Sequence, residues 1–289
     1  MSKPIPVLTQ KQAITNFRKR PRDSHKGMFG TVVVIGGAAG MIGAPLLAAR
    51  AALKMGAGCV HAGLLAENAP VVDVLQPELM LHRAQDLFSS ASFAGSLPKD
   101  NTVVAIGCGL GRDMAAQKLL HDALHTDAAL VLDADALNIL AMRPDLRTLL
   151  LSRKAASVIT PHPGEAARLL ACEISEVQAG RIEAARQLVQ RFGCSVVLKG
   201  ADSLCATRDG RLFVNHTGNP GMSAAGMGDV LTGMIAALIA QGMSADDALL
   251  LAVHLHGAAG DALAGQRASI GMTATEVTEW ARWLLNQWV

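Results

Sequence analysis

Short runs of Val, Ile and Leu recur along this chain at intervals filled by helix-length segments, and that alternation restricts the fold more than any other feature. Residues 31–35 are a β-branched run that stops at Gly36-Gly37, and further apolar runs occupy 59–64, 102–106, 129–132, 157–160 and 195–198. Apolar runs of this length without polar alternation are what strands buried on both faces look like. Between them lie helix-length segments such as 42–55, 163–170 and 176–192, the first closed by Gly56 and Gly58 where helices commonly stop. Strands joined by helical crossovers predict an α/β fold in three layers, a mostly parallel central sheet with helices on both faces. Ligands of such sheets bind beyond the carboxyl ends of the strands.

The alternation breaks once. Residues 203–207 and 211–214 flank Arg208-Asp209-Gly210, and Asp-Gly between two strand-like runs signals a hairpin, so the sheet is expected to carry an antiparallel edge. From Val230 onward only helices are expected, over 230–241, 245–264 and 274–288. No linker rich in Pro, Gly or Ser divides the chain and no solenoid period repeats, so residues 1–289 are expected to form a single domain. Residues 1–25 read as a polar lead-in, and the basic run of Arg18, Lys19, Arg20, Arg22 and Lys26 reads as solvated.

With 51% hydrophobic and 17% charged residues over 289 positions, the chain can bury a large core, which excludes disorder as a description of the whole. A net charge of +2 and 3% aromatic residues, with no Tyr, leave little with which to hold nucleic acid. Cys59, Cys108, Cys172, Cys194 and Cys205 are widely spaced and form no C-x-x-C pair. They are expected to be reduced core thiols of a cytoplasmic protein, not zinc ligands. The first nine residues lack the apolar core of a signal peptide, and the apolar stretches 41–53 and 230–240 are broken by Arg50 or by Thr232 and Gly233, so no membrane span is expected.

The strongest chemical signal is the run from Gly218 to Asp229, which ends Gly226-Met227-Gly228-Asp229 and leads straight into Val230-Leu231. A glycine-rich loop opening a helix aims several backbone N–H groups at one spot, where the helix dipole also favours negative charge. Phosphate is the natural occupant. Asp229, in the first helical turn, could be a cap. Capping, however, does not require glycines on both sides of Met227, whereas phosphoryl transfer uses such an anion hole beside a carboxylate that accepts a hydroxyl proton.

Gly-Met-Gly-Asp before a helix resembles the anion-hole signature of the ribokinase-like superfamily. The longer run from Asn219 to Gly233 resembles that of the ADP-dependent (S)-NAD(P)H-hydrate dehydratase family in particular. Matching segments extend over residues 26–261: His25-Lys26-Gly27 with Phe29-Gly30, Gly36-Gly37 with Pro45 and Gly56-Ala57-Gly58, Gly107 to Gly111, Asp133-Ala134-Asp135-Ala136-Leu137-Asn138, Thr160-Pro161-His162-Pro163-Gly164-Glu165, and Val197-Leu198-Lys199-Gly200-Ala201-Asp202.

The resemblance implies a ribokinase-like fold and ADP-dependent dehydration of (6S)-NADHX and (6S)-NADPHX to NADH and NADPH, with AMP and phosphate released and Mg2+ as cofactor. It makes Asp229 the catalytic residue, with Gly226 and Gly228 forming the anion hole. Ala44, Gly109, His162 and Asp229 become substrate contacts; Lys199, Gly200, Ala201, Asp202, Ser203 and Gly228 become ADP or AMP contacts. It further implies a homotetramer and, because relatives often carry a fused epimerase for which this chain has no room, a separate epimerase.

Some residues keep two readings. Glu165 is either a first-turn helix acid or part of a magnesium network. Asp133 and Asp135 suit metal or ribose contacts, and Asp135 equally suits a cap for a helix beginning at Ala136. His254 and His256, two apart on a helix, face different sides and are expected in the core or at the surface. No G-x-x-x-x-G-K-[ST] loop and no strict G-x-G-x-x-G occurs, which excludes a P-loop ATPase and a standard Rossmann dehydrogenase. The competing readings are a ribokinase-like kinase of a vitamin precursor and a non-catalytic nucleotide-binding module.

Overall fold

The computed structural model describes residues 4–88, 101–266 and 269–289. In chain order it contains α1 (Gln10–Ile14), β1 (Thr31–Gly36), α2 (Gly43–Lys54), β2 (Cys59–Leu64), β3 (Met80–Arg83), β4 (Thr102–Ile106), α3 (Met114–Leu124), β5 (Ala129–Leu132), α4 (Asp135–Met142), α5 (Pro144–Ser152), β6 (Ser157–Ile159), α6 (Pro163–Leu170), α7 (Ile174–Ala179), α8 (Arg181–Phe192), β7 (Ser195–Leu198), β8 (Ser203–Ala206), β9 (Leu212–Asn215), α9 (Met227–Ala240), α10 (Ala245–Gln266) and α11 (Ala274–Trp288). One sheet runs β3-β2-β1-β4-β5-β6-β7-β8-β9. Neighbours from β3 to β7 are parallel, and the β7-β8 and β8-β9 pairs are antiparallel, as the Asp-Gly turn led one to expect.

Successive side chains of a strand point to opposite faces, and here both faces are dry. Val32, Val34, Val103, Ala105 and Val131 pack into a core with α2, α9, α10 and α11. Their alternates Val33, Ile35, Val104, Ile106, Leu130 and Leu132 join the core under α3 to α8. That double burial is why the strands read as unbroken apolar runs. Helix α10 is, among the described residues, the one helix long and apolar enough to cross a bilayer by composition, and 72% of its apolar window is buried within the fold.

Three features depart from the sequence reading. The edge strand β3 was not expected, because Met80-Leu81-His82-Arg83 is only partly buried and lacks the apolar run of an interior strand. The segment 176–192 divides at Gly180 into α7 and α8. The lead-in is solvated only in part: Arg18, Lys19, Arg20, Arg22 and Lys26 are exposed, but Leu8 and Ala13 are buried. The Leu8 N–H donates to the Val214 carbonyl (2.8 Å) and the Val214 N–H to the Pro6 carbonyl (3.0 Å), so the lead-in covers the free edge of β9. A Thr9–Gln12 capping box then starts α1.

Helices α2 and α9 approach closely because Ala48, Ala49, Ala51 and Ala52 present no bulk and because position 233 is glycine. A Cβ on Gly233 would stand 2.0 Å from the Ala48 carbonyl oxygen. Gly233→Ala is therefore expected to destabilise the protein by about 1–3 kcal/mol or more, although alanine is the better helix former; chemical denaturation at equilibrium checks this, and an unchanged or raised midpoint contradicts it.

Candidate functional site

At the carboxyl end of the sheet, Asp133, directly after β5, ties the end of β7 to α9. Its carboxylate is 2% exposed and accepts hydrogen bonds from Lys199 Nζ after β7 (2.7 Å) and from Thr232 Oγ1 of α9 (3.0 Å). Lys199 Nζ also lies 4.0 Å from Glu165 Oε2 at the start of α6. Burial opposes the Lys199 charge, but Asp133 and Glu165 outweigh it and hold the ammonium above its usual pKa.

Helix α9 begins without a side-chain cap. Its N-cap position is Gly226, at φ 88° with no side chain to offer, a left-handed conformation that glycine adopts without strain. The first-turn amides, which have no partner inside the helix, therefore receive no cap from that position. Position 228 is tight as well: a Cβ there would lie 3.2 Å from Lys199 Nζ and 3.3 Å from Asp133 Oδ2. Asp229, the third residue of the helix, is partly buried and takes a hydrogen bond from the Cys108 thiol. Burial pushes its pKa up to about 6; Cys108 and Lys199 pull it down and Asp133 adds to the rise. Burial, with Asp229 and Asp133 nearby, in turn drives the Cys108 thiol well above its usual range.

At the start of α6, His162 Nδ1 accepts the Gly164 and Glu165 amides (3.0 and 3.4 Å), and Glu165 Oε2 accepts the His162 amide (2.8 Å). His162 Nε2 then faces Glu165 Oε1 at 3.3 Å. Glu165 is thus a helix cap and a neighbour of Lys199 at once, and burial pushes its pKa up to about 7. Gly109 lies against the start of α2, where a Cβ on it would stand 3.3 Å from that of Ala44. Asp135 does not cap a following helix. It is the first residue of α4 and accepts the Gly111 amide (2.9 Å), pinning the loop after β4.

Beside the start of α9 opens a cleft of about 490 Å³, walled by the 199–203 turn, the 215–219 segment, Met227, Gly228 and Leu231 of α9, and Val253 and His256 of α10. All the positions read as nucleotide contacts, Lys199, Gly200, Ala201, Asp202, Ser203 and Gly228, line it. Ala44, Gly109, His162 and Asp229 lie outside its wall. They adjoin it through shared partners: Asp229 meets the loop after β4 at Cys108, and His162 meets Glu165 beside Lys199.

Several residues of this region carry no signal in the sequence. Arg181, which opens α8, donates to the carbonyls of Leu198 (3.2 Å) and Asp202 (3.4 Å) and so fixes the 199–203 turn. Nothing local distinguishes it from other surface arginines. His216 pairs with Asp202 at the cleft rim. Cys108 sits inside a Gly107 to Gly111 loop that the sequence did mark. His254 and His256 are both buried, the former with Nδ1 3.1 Å from Asn215 Oδ1. Among the described residues no three His, Cys, Asp or Glu side chains gather as a metal cage.

A mostly parallel sheet with an antiparallel edge, carrying an acidic first turn on an uncapped helix at its ligand-binding end, places the chain in the ribokinase-like class of folds. Residues 32–282 match the family described as NAD(P)H-hydrate dehydratase. The chain is 44% identical over 275 residues to the ADP-dependent (S)-NAD(P)H-hydrate dehydratase of Neisseria meningitidis serogroup B, covering 94% of this chain and 90% of that one. It is 40% identical to the bifunctional NAD(P)H-hydrate repair enzyme Nnr of Escherichia coli over 93% of its own length but spans only 50% of that protein. The crystal structure of the ADP/ATP-dependent NAD(P)H-hydrate dehydratase of Bacillus subtilis, co-crystallised with ATP/Mg2+, superposes with a TM-score of 0.88 at 29% identity, covering 100% of both chains. The chain belongs to the NAD(P)H-hydrate dehydratase family.

The raised pKa of Asp229 has a stability consequence of definite sign. A carboxyl that holds its proton more tightly when folded contributes stability at low pH, and that contribution is lost as pH rises through about 6. Asp229→Asn removes the cost of the buried charge, so the variant is expected to be more stable than the parent at pH 8, by about 1–3 kcal/mol, with the gap closing towards pH 4. Urea denaturation at the two pH values measures this, and a less stable variant at pH 8 refutes it.

Proposed function

We propose that this chain dehydrates (6S)-NADHX and (6S)-NADPHX with ADP as phosphoryl donor, yielding NADH or NADPH, AMP and phosphate. The observation that carries the reading is the uncapped start of α9, where first-turn amides and Lys199 border a nucleotide-sized cleft and Asp229 stands on the side away from it. Hydroxide is a poor leaving group, and phosphorylating the hydroxyl of the hydrated ring makes it a good one.

In this reading the ADP phosphates lie against Gly228 and Lys199, with the 199–203 turn around the rest of the nucleotide. The hydrated nicotinamide lies towards Ala44, Gly109 and His162. Asp229 then stands between donor and acceptor. It accepts the hydroxyl proton while that oxygen bonds to the β-phosphorus of ADP and the bond to AMP breaks. The amides after Gly226 hold the charge that builds on the phosphoryl oxygens. The ring nitrogen's electron pair then expels phosphate from carbon, and loss of a proton from the neighbouring carbon restores the ring double bond.

A pKa of about 6 suits Asp229 to accepting that proton, because the carboxylate is ionised at neutral pH yet more basic than a solvated aspartate. Asp133 is committed to Lys199 and Thr232. Glu165, beside Lys199, is the carboxylate that would help hold Mg2+ at the nucleotide phosphates. The ion's chemistry when bound is to offset phosphate charge.

Hydrated NADH incubated with ADP and the protein should regain the near-ultraviolet absorbance of the dihydronicotinamide, with AMP and phosphate formed in equal amounts. Its kcat/KM should rise with pH through about 6 and then level, as Asp229 ionises. Asp229→Asn should lose at least about 100-fold in rate. No recovery of absorbance, alongside ATP-driven phosphorylation of a hydroxymethyl vitamin precursor, would favour the kinase; full activity in Asp229→Asn would favour a binding module.

A further inference from the structure

His256 of α10 stands in the cleft wall at 8% exposure, and its Nε2 is buried with no hydrogen-bond partner among the described residues. An unpaired polar atom in such a position costs about 1–3 kcal/mol, and nearly all buried polar atoms in folded proteins have a partner. The ring is also uncharged at neutral pH, since burial and then Lys199 hold its pKa down at about 4. Lys199 and the amides of α9 already offer what a phosphate needs.

A neutral imidazole presents one donor and one acceptor. The same cleft wall carries apolar side chains, Met227 and Leu231 of α9 and Val253 of α10, alongside the polar Asn215 and Thr217. The helix is held firmly there, because Gly257 packs against Thr217 so closely that a Cβ would stand 2.2 Å from its Oγ1. Apolar side chains with a few hydrogen-bonding atoms placed among them suit a flat heteroaromatic ring with polar edge atoms, and the phosphates are already provided for at Lys199 and the start of α9.

We infer that His256 determines which nucleotide the cleft accepts, its imidazole hydrogen-bonding the edge of the base while the phosphates lie at Lys199 and Gly228. The inference rests on the reading of this cleft as the nucleotide site.

Calorimetric titration of the protein with ADP, GDP and pyrophosphate, without substrate, tests it. The parent should bind ADP more tightly than GDP. His256→Phe, which keeps a ring but no hydrogen-bonding atom, should weaken ADP binding about tenfold, abolish the preference over GDP and leave pyrophosphate binding unchanged. His256→Gln should recover part of both affinity and preference. If the Phe chain does not fold, as judged by its melting transition, His256→Leu takes its place with the same expectations. Unchanged ADP binding in the Phe or Leu chain overturns the inference, as does equal weakening of ADP and pyrophosphate, which would mark a packing role. A parent that binds none of the three overturns the nucleotide reading itself, a result distinct from either of these.

Discussion

The carboxylate of Asp133 holds the site together by accepting hydrogen bonds from a lysine after β7 and a threonine on α9. Lys199 and Thr232 reach it from 66 and 99 residues away. A buried ion pair of this kind adds little net stability over an apolar substitute, yet removing one partner strands the other's charge at a cost of several kcal/mol. Its effect is on arrangement more than on stability. It sets the end of β5, the end of β7 and the first turns of α9 in one register, and so puts an ammonium beside an uncapped helix start.

That helix start is locally unfavourable. No side chain caps it, and Gly226 leaves no place for one, since its φ is 88° and a Cβ there would stand 2.6 Å from Leu47 Cδ1. Asp229, three residues on, is kept in surroundings that raise its pKa to about 6, and Glu165 nearby is raised to about 7. Stability is lost at each of these points, and the close packing of α9 on α2 through Gly233 and the alanines of α2 offsets it. In the proposed reading, a site that receives a phosphate and a proton keeps such unfavourable features at the point of use.

Interior strands were legible in the sequence because two dry faces leave no room for polar alternation, as in Val32 to Ile35. Edges were not. Strand β3 has one partner and half-exposed residues, and the lead-in joins β9 through backbone atoms of Pro6, Leu8 and Val214 that no side-chain pattern announces. At the site, the convergence of Lys199 to Ser203 with Gly228 could be foreseen, since strand ends and a glycine-rich helix start must share one end of such a sheet. The role of Arg181 could not, because its partners are carbonyls 17 to 21 residues away. Asp135 suited a ligand contact or a cap equally, and it instead pins the loop after β4 by accepting the Gly111 amide, just past Ala134, which has a φ of 49°. His256 could be read no further than core or surface, because a sequence does not show which buried atom lacks a partner.

Phosphoryl transfer onto the hydroxyl of the hydrated ring is the chemical core of the proposed mechanism, and the fate of one oxygen atom decides it. Hydrate labelled with oxygen-18 in that hydroxyl, converted in a single turnover with ADP, should deliver the label to inorganic phosphate, because the carbon–oxygen bond breaks after the oxygen has joined phosphorus. Label recovered in water, with unlabelled phosphate, would mean that the hydroxyl leaves directly and that the anion hole beside Asp229 does something else.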